Sequence, residues 1–119
     1  MFLAKNPASL TTNLKVFEKR KSEFDALLFI LNDNIPDGRD VSWIYDVDPS
    51  VIFSACKDKE IYVSGGRVYD MAVRLDYAEV FIPEENVSAS VQSITNLIKR
   101  KSSVKMLDFR NMLVGRKIL

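Results

Sequence analysis

The sequence predicts an α/β domain built on a mostly parallel sheet flanked by helices, and three observations predict it. Short apolar runs without polar alternation, led by Phe24 to Leu31, read as strands buried on both faces. Stretches with apolar residues at helical spacing separate them, as parallel crossovers require. Segments rich in aspartate or glycine follow two of the apolar runs directly, where open α/β sheets make their turns.

The elements follow in order. Asn6-Pro7 reads as a helix N-cap with proline in the first helical position. Leu10, Leu14 and Phe17 then share a face, and Glu18-Lys19-Arg20-Lys21 suits a helix C-terminus. After the Phe24–Leu31 strand comes an acidic segment, then a short helix over Pro49–Cys56 and a second strand at Ile61-Tyr62-Val63. From Arg67 the period is helical, with Val68, Met71, Ala72 and Leu75 on one face. Val80-Phe81-Ile82 reads as a third strand stopped by Pro83. Val87, Val91, Ile94 and Ile98 mark another amphipathic helix that ends in Lys99-Arg100-Lys101. Val104 to Leu107 reads as a last strand, and Phe109 to Leu119 as a mostly helical tail. Crossovers between parallel strands are expected to be right-handed.

Composition bounds the rest. The 119 residues make one domain by length, and 47% hydrophobic residues suffice for a core that buries roughly two-thirds of the unfolded surface. Seventeen basic against sixteen acidic residues leave a net charge of +1, which points to neither a nucleic acid nor a charged membrane surface. No apolar stretch approaches the ~20 residues of a membrane span, and Met1 to Pro7 lacks the apolar core of a signal peptide. The lone Cys56 excludes an internal disulfide and fits a reducing compartment, so a cytoplasmic location is expected. Histidine is absent, so no Ser-His-Asp or Cys-His site can be completed within the chain, and zinc sites of His and Cys are excluded.

The segment from Asn32 to Asp48 carries most of the chemistry. It holds five aspartates, two asparagines, Arg39 and the single tryptophan, Trp43, around a Pro36-Asp37-Gly38 turn. A calcium loop needs side-chain oxygens two residues apart and a glycine at the sixth position; starting at Asp33 puts Ile35 third, and the register fails. Aspartates as turn formers and helix caps, at Asp40 or Asp46, are a second reading. Like charges at this density repel unless a cation or partner lies among them, which favours a third: a functional loop at a strand's carboxyl end. Ser64-Gly65-Gly66-Arg67 also follows a strand and opens a helix. Gly65, Gly66 and Arg67 are therefore an anion-binding candidate, or a turn that needs glycine freedom. Neither dinucleotide nor P-loop glycine patterns are present. Tyr69 and Tyr77 read as packing residues, and Cys56, among Phe53-Ser54-Ala55, as a buried small residue rather than a reactive thiol.

Several segments together resemble one family. Ala4-Lys5-Asn6-Pro7-Ala8, Leu31-Asn32-Asp33-Asn34, Asp37-Gly38-Arg39-Asp40, Ser42-Trp43-Ile44-Tyr45-Asp46, Ser64-Gly65-Gly66-Arg67, Arg74-Leu75 and Tyr77-Ala78-Glu79-Val80 occur in order. They look like the C-terminal domain of MurT, the Mur-ligase-like subunit of the bacterial lipid II isoglutaminyl synthase. The likeness is concentrated before Val80; Asp108-Phe109-Arg110 stands where the family often has an Asn-Tyr-Thr-like segment, so no role is carried there.

The resemblance implies a Rossmann-like Mur-ligase C-terminal domain over residues 1–119, with the family's central ATPase domain absent from this chain. It implies a ligase that uses ATP and Mg, bound mostly by that central domain, to activate the α-carboxylate of D-glutamate in the lipid II stem peptide. Ammonia from a GatD-type glutamine amidotransferase partner then gives D-isoglutamine. In the family the aspartate of the Gly-Arg-Asp motif, here Asp40, completes a Cys-His-Asp triad with the partner's cysteine and histidine. Asn32, Asp33 and Asn34 become candidates for nucleotide-side or ammonia-side contacts, Lys5 and Asn6 secondary ones, and Arg39 and Trp43 partner contacts. No resident metal is expected in this domain, and the isolated chain is expected to be inactive. A different class stays open: a stand-alone binding or scaffold domain that kept the fold and lost catalysis.

Overall fold

The computed structural model describes Ala4, residues 6–31 and 42–100, and the backbone of residues 104–108 and 112–117. Four helices and five strands occur there: α1 (Pro7–Lys19), β1 (Ala26–Ile30), α2 (Pro49–Cys56), β2 (Glu60–Ser64), α3 (Val68–Tyr77), β3 (Val87–Ser88), α4 (Val91–Arg100), β4 (Val104–Asp108) and β5 (Met112–Lys117). The strands form one sheet in the order β3-β2-β1-β5-β4. β1, β2 and β3 run parallel, and β5 pairs antiparallel with both β1 and β4. The α/β class expected from the sequence is the class observed.

Local chemistry explains the elements. The Asn6 side chain accepts the Ser9 N–H at 2.9 Å while Ser9 Oγ accepts the Asn6 N–H at 3.2 Å, a reciprocal cap with Pro7 just inside it. Leu10, Leu14 and Phe17 are buried, as their spacing requires. All five residues of β1 are buried, the pattern of a strand covered on both faces. Side-chain alternation splits them. Leu27 and Phe29, with Ile61 and Val63 of β2, join a core shared by α1, α2 and α3; Ala26, Leu28 and Ile30, with Tyr62, meet Ile94 and Ile98 of α4. The steps β1 to β2 to β3 go one way across the sheet, so α2 and α3 share a face. α4 leaves one edge strand for the other and covers the opposite face.

Two expectations are corrected. Residues 80–82 are not a strand: the Val80 N–H bonds the Leu75 carbonyl and the Glu79 N–H that of Asp76, with Glu79 at φ 64. That is a helix-ending motif, and it uses the donor a ladder would need. Phe81 beyond it is 83% exposed. The third strand is instead Val87–Ser88, which removes Val87 from the predicted helix. Before it, the buried Asn86 donates through Nδ2 to the Ile61 carbonyl at 3.0 Å, an amide standing where a strand bond would. The tail is likewise not helical, since Met112–Lys117 is β5, inserted between β1 and β4. A buried central strand needs a partner on both edges, and β5 supplies the second one for β1.

Candidate functional site

The sheet gathers its turns at the carboxyl ends of β1, β2 and β3. The turn after β2 and the segment after β1 meet at Leu31, which is buried. Its N–H donates to the Ser64 carbonyl at 3.1 Å, and its carbonyl accepts the Arg67 N–H at 2.9 Å. Both peptide groups of the last residue before the acidic run are therefore held by the glycine turn. That turn requires Gly65, whose φ of 103° disfavours any side chain. The registers Phe29 with Met112 and Asp108 with Leu113 bring the end of β4 and the start of β5 to this same edge.

The chain re-enters the described structure as a 3-10 helix over Ser42–Asp46, with Ile44 and Val47 buried against the larger core. Arg74 of α3 holds this segment. The residue is 3% exposed, and its guanidinium donates from Nε to the Ile44 carbonyl at 2.8 Å and from Nη2 to the Val47 carbonyl at 2.6 Å. The Tyr45 ring lies over it at 5.4 Å, and Tyr45 makes an edge contact with Tyr77 at 6.2 Å. Helix α3 thus frames both ends of residues 32–41: the backbone just before its first turn holds the departure, and a side chain two turns later holds the return.

The residues singled out in the sequence are distributed as follows. Lys5, Asn32, Asp33, Asn34, Arg39 and Asp40 lie outside the described residues. Asn6 is the α1 cap. Trp43 is half-buried and packs on the larger core. In the Gly65-Gly66-Arg67 turn, the Arg67 N–H is taken by Leu31, the Val68 N–H by Gly65, and Arg67 Nε pairs with Asp70 at 2.7 Å. Asp70 lies in the first turn of α3, where a carboxylate already meets the positive end of the helix dipole. These contacts tie β1 to α3.

Asp48 is the cap of α2, accepting the Ser50 N–H at 2.9 Å and its hydroxyl at 2.8 Å; those bonds, the backbone one first, hold its carboxyl below the ordinary range. Burial pushes the Cys56 thiol up to about 12, the state of a packing residue and not of a nucleophile. Tyr69 and Tyr77, read as packing residues, stand on the outer side of α3 at 72% and 70% exposed. Among the described residues no group of three or more Cys, Asp or Glu is placed to hold a metal ion, and no helix is long and apolar enough to cross a membrane. A shallow groove of about 270 Å³ lies at the other end of the strands, between Phe53, Lys57, Lys59 and Phe81, away from this edge.

Arg74 is the residue that sequence reasoning did not single out for a role. Its signal was present: an arginine three residues after Met71 and beside Leu75, within an otherwise apolar helix face.

Residues 3–110 match the family described as MurT ligase C-terminal. The lipid II isoglutaminyl synthase (glutamine-hydrolyzing) subunit MurT of Staphylococcus aureus (strain COL) is 43% identical over 81 residues, covering 68% of this chain and 18% of that protein. The subunit of the same name from Streptococcus pneumoniae (strain ATCC BAA-255 / R6) is 30% identical over 131 residues, covering 100% of this chain and 28% of that protein. The chain thus spans well under a third of these relatives' length.

Proposed function

The chain belongs to the MurT ligase C-terminal family, and from that membership we propose that it is the C-terminal domain of a glutamine-dependent ligase that amidates D-glutamate of the lipid II stem peptide. The observation that carries the reading is the framed acidic segment. The Gly-Arg-Asp motif at Gly38 to Asp40 lies between two anchors, Leu31 on one side and the Arg74-held Ile44 on the other. The relatives' name, glutamine-hydrolyzing, supplies the nitrogen source.

In this reading Asp40 works across a subunit boundary. A GatD-type partner brings a cysteine, whose thiolate attacks the carboxamide carbon of glutamine, and a histidine, which protonates the departing ammonia. Asp40 accepts the other N–H of that histidine, fixing its tautomer and stabilising the imidazolium. The absence of histidine and the inert Cys56 make this chain a donor of the acid alone. The released ammonia attacks the activated D-glutamate carboxyl and displaces phosphate, leaving the amide. ATP and Mg supply that activation. In this reading the nucleotide is bound mostly by the rest of the subunit, with Asn32, Asp33, Asn34, Lys5 and Asn6 as this domain's candidate contacts. The Gly65-Gly66-Arg67 turn acts through the backbone it holds. Arg39 and the exposed part of Trp43 are the proposed partner contacts. A reaction that consumes ATP places the domain on the cytoplasmic side, and the isolated domain turns nothing over.

The test is a titration of this domain with a GatD-type subunit, following Trp43 fluorescence and glutaminase turnover together. Binding with a gain in turnover that disappears in Asp40→Asn supports the shared triad. Binding with the same gain in Asp40→Asn refutes it, and no binding at high concentration favours a stand-alone binding domain.

A further inference from the structure

A groove of about 360 Å³ lies between the start of α2 and the end of α3, lined by Pro49, Ser50, Phe53, Tyr77, Ala78 and Glu79. Phe53 and Tyr77 are 41% and 70% exposed, so two large rings at this groove are left to solvent. Tyr77 is set by its neighbours. It meets the Tyr45 ring edge-on at 6.2 Å, and Tyr45 in turn lies over the Arg74 guanidinium. None of the lining residues is basic, and Glu79 forms no ion pair among the described residues. Asp48, bonded to the lining Ser50, adds a second carboxylate beside the groove and already meets the positive end of α2; Lys15 of α1 is the cation that acts on it. The end of α3 contributes the negative end of its own dipole, and the basic residue of its last turn, Arg74, is occupied by the Ile44 and Val47 carbonyls. The adjoining groove that shares Phe53 and Glu79 differs in charge, since Lys57 and Lys59 line it.

We propose that this groove between α2 and α3 is a docking slot for an arginine side chain presented by a protein partner. The chemistry of the lining selects that occupant. A guanidinium is planar and weakly hydrated, so it stacks on Phe and Tyr faces while its donors reach a carboxylate such as Glu79. An anion would meet Glu79, Asp48 and the negative end of α3, and a purely apolar side chain would leave the Glu79 charge unanswered. A lysine ammonium pairs with a carboxylate but lacks the flat face that the two rings favour. Tyrosine and arginine are also the residue types that dominate the energetic centres of protein interfaces. Lys57 and Lys59 keep the guanidinium on the α2-start side of Phe53. No residue of the slot lies in the acidic segment, so it stands apart from the role of Asp40.

The probe is N-acetyl-L-argininamide, with N-acetyl-L-citrullinamide as its uncharged analogue of the same shape, both at constant ionic strength. Amide chemical shifts of the 119-residue chain follow binding, and their dispersion reports that each variant is folded. The arginine probe is expected to give a saturable shift at Ser50, Phe53, Tyr77 and Glu79, in the millimolar range of a single side chain, and the citrulline probe none. Glu79→Gln removes the charge at constant length and is expected to weaken binding at least about threefold. Tyr77→Leu keeps an apolar wall without a ring and is expected to weaken it about threefold. No saturable shift, equal shifts with both probes, or unchanged affinity in both variants overturns the proposal. Shifts at the same four residues that grow with protein concentration in the absence of probe assign the groove to a second copy of the chain, and they overturn it as well.

Discussion

Two faces of one sheet are built very differently here. Leu27, Phe29, Ile61 and Val63 point into a core of twenty buried residues, counted among the described ones, with helices α1, α2 and α3 packed over it. Ala26, Leu28, Ile30 and Tyr62, on the same two strands, meet Ile94 and Ile98 of α4 in a cluster of six. Every described contact that frames the acidic segment lies on the first face: Leu31, Ile44, Val47 and α3 with Arg74. The difference teaches where a fold can hold a strained or charged feature. A buried guanidinium and a bonded loop root persist where many neighbours over-determine the backbone, whereas among the described residues α4 frames no part of the acidic segment.

The sharpest way to break this comparison is to ask how dry the larger core is. Cys56 lies in it, and a buried thiol raised to about 12 should react with a disulfide reagent more than about 10-fold more slowly in the folded protein than in urea. Rapid native labelling would show that this face opens. A matched pair of truncations then weighs the faces. Leu10 and Ile98 are each 1% exposed. Leu10→Ala should cost about 3–5 kcal/mol and Ile98→Ala about 2–3 kcal/mol if the cluster around α4 relaxes more readily into the space left behind. Urea unfolding measures both, and equal losses would say that α4 is packed as tightly as α1.

Smaller effects concern the caps on the first face. Asn6→Ala removes the acceptor of the reciprocal cap and should lower stability by about 1 kcal/mol, read from the same unfolding curves. A loss within error would show that α1 is held by packing alone. Asp48 tests the sign of a pH effect. Its folded pKa is depressed by the Ser50 donors, so its contribution is fully present above the ordinary aspartate value and fades as pH falls below about 4. Asp48→Asn keeps the acceptor and should flatten that acid-side loss; an unchanged profile would place the acid sensitivity elsewhere.

Much of the first face was legible because its signals are local. The Asn6-Pro7 start, the unbroken apolar run of β1, the Pro49 helix and the Gly65 turn each act within a few residues, where side-chain spacing and φ/ψ preference decide the outcome. Two other segments were read less well. Val80 to Ile82 has strand composition, but its first N–H closes α3, a competition between two nearby acceptors that apolar content does not reveal. The tail reads as helical from its scattered apolar residues, yet it is a strand, because β1 has an open edge on the side away from β2.

By itself, the sequence determined the α/β class, the first cap and the strand that launches the acidic segment. It also determined, by having no histidine, that these 119 residues cannot complete a cysteine–histidine site by themselves. Only the tertiary structure decided that Gly65–Arg67 serves Leu31, and that Arg74, thirty residues from Ile44, holds the return of the same segment. The reason is physical. Periodicity and propensity are properties of neighbours along the chain. A hydrogen bond to a carbonyl far away in sequence exists only once the sheet has set the spacing between its crossovers.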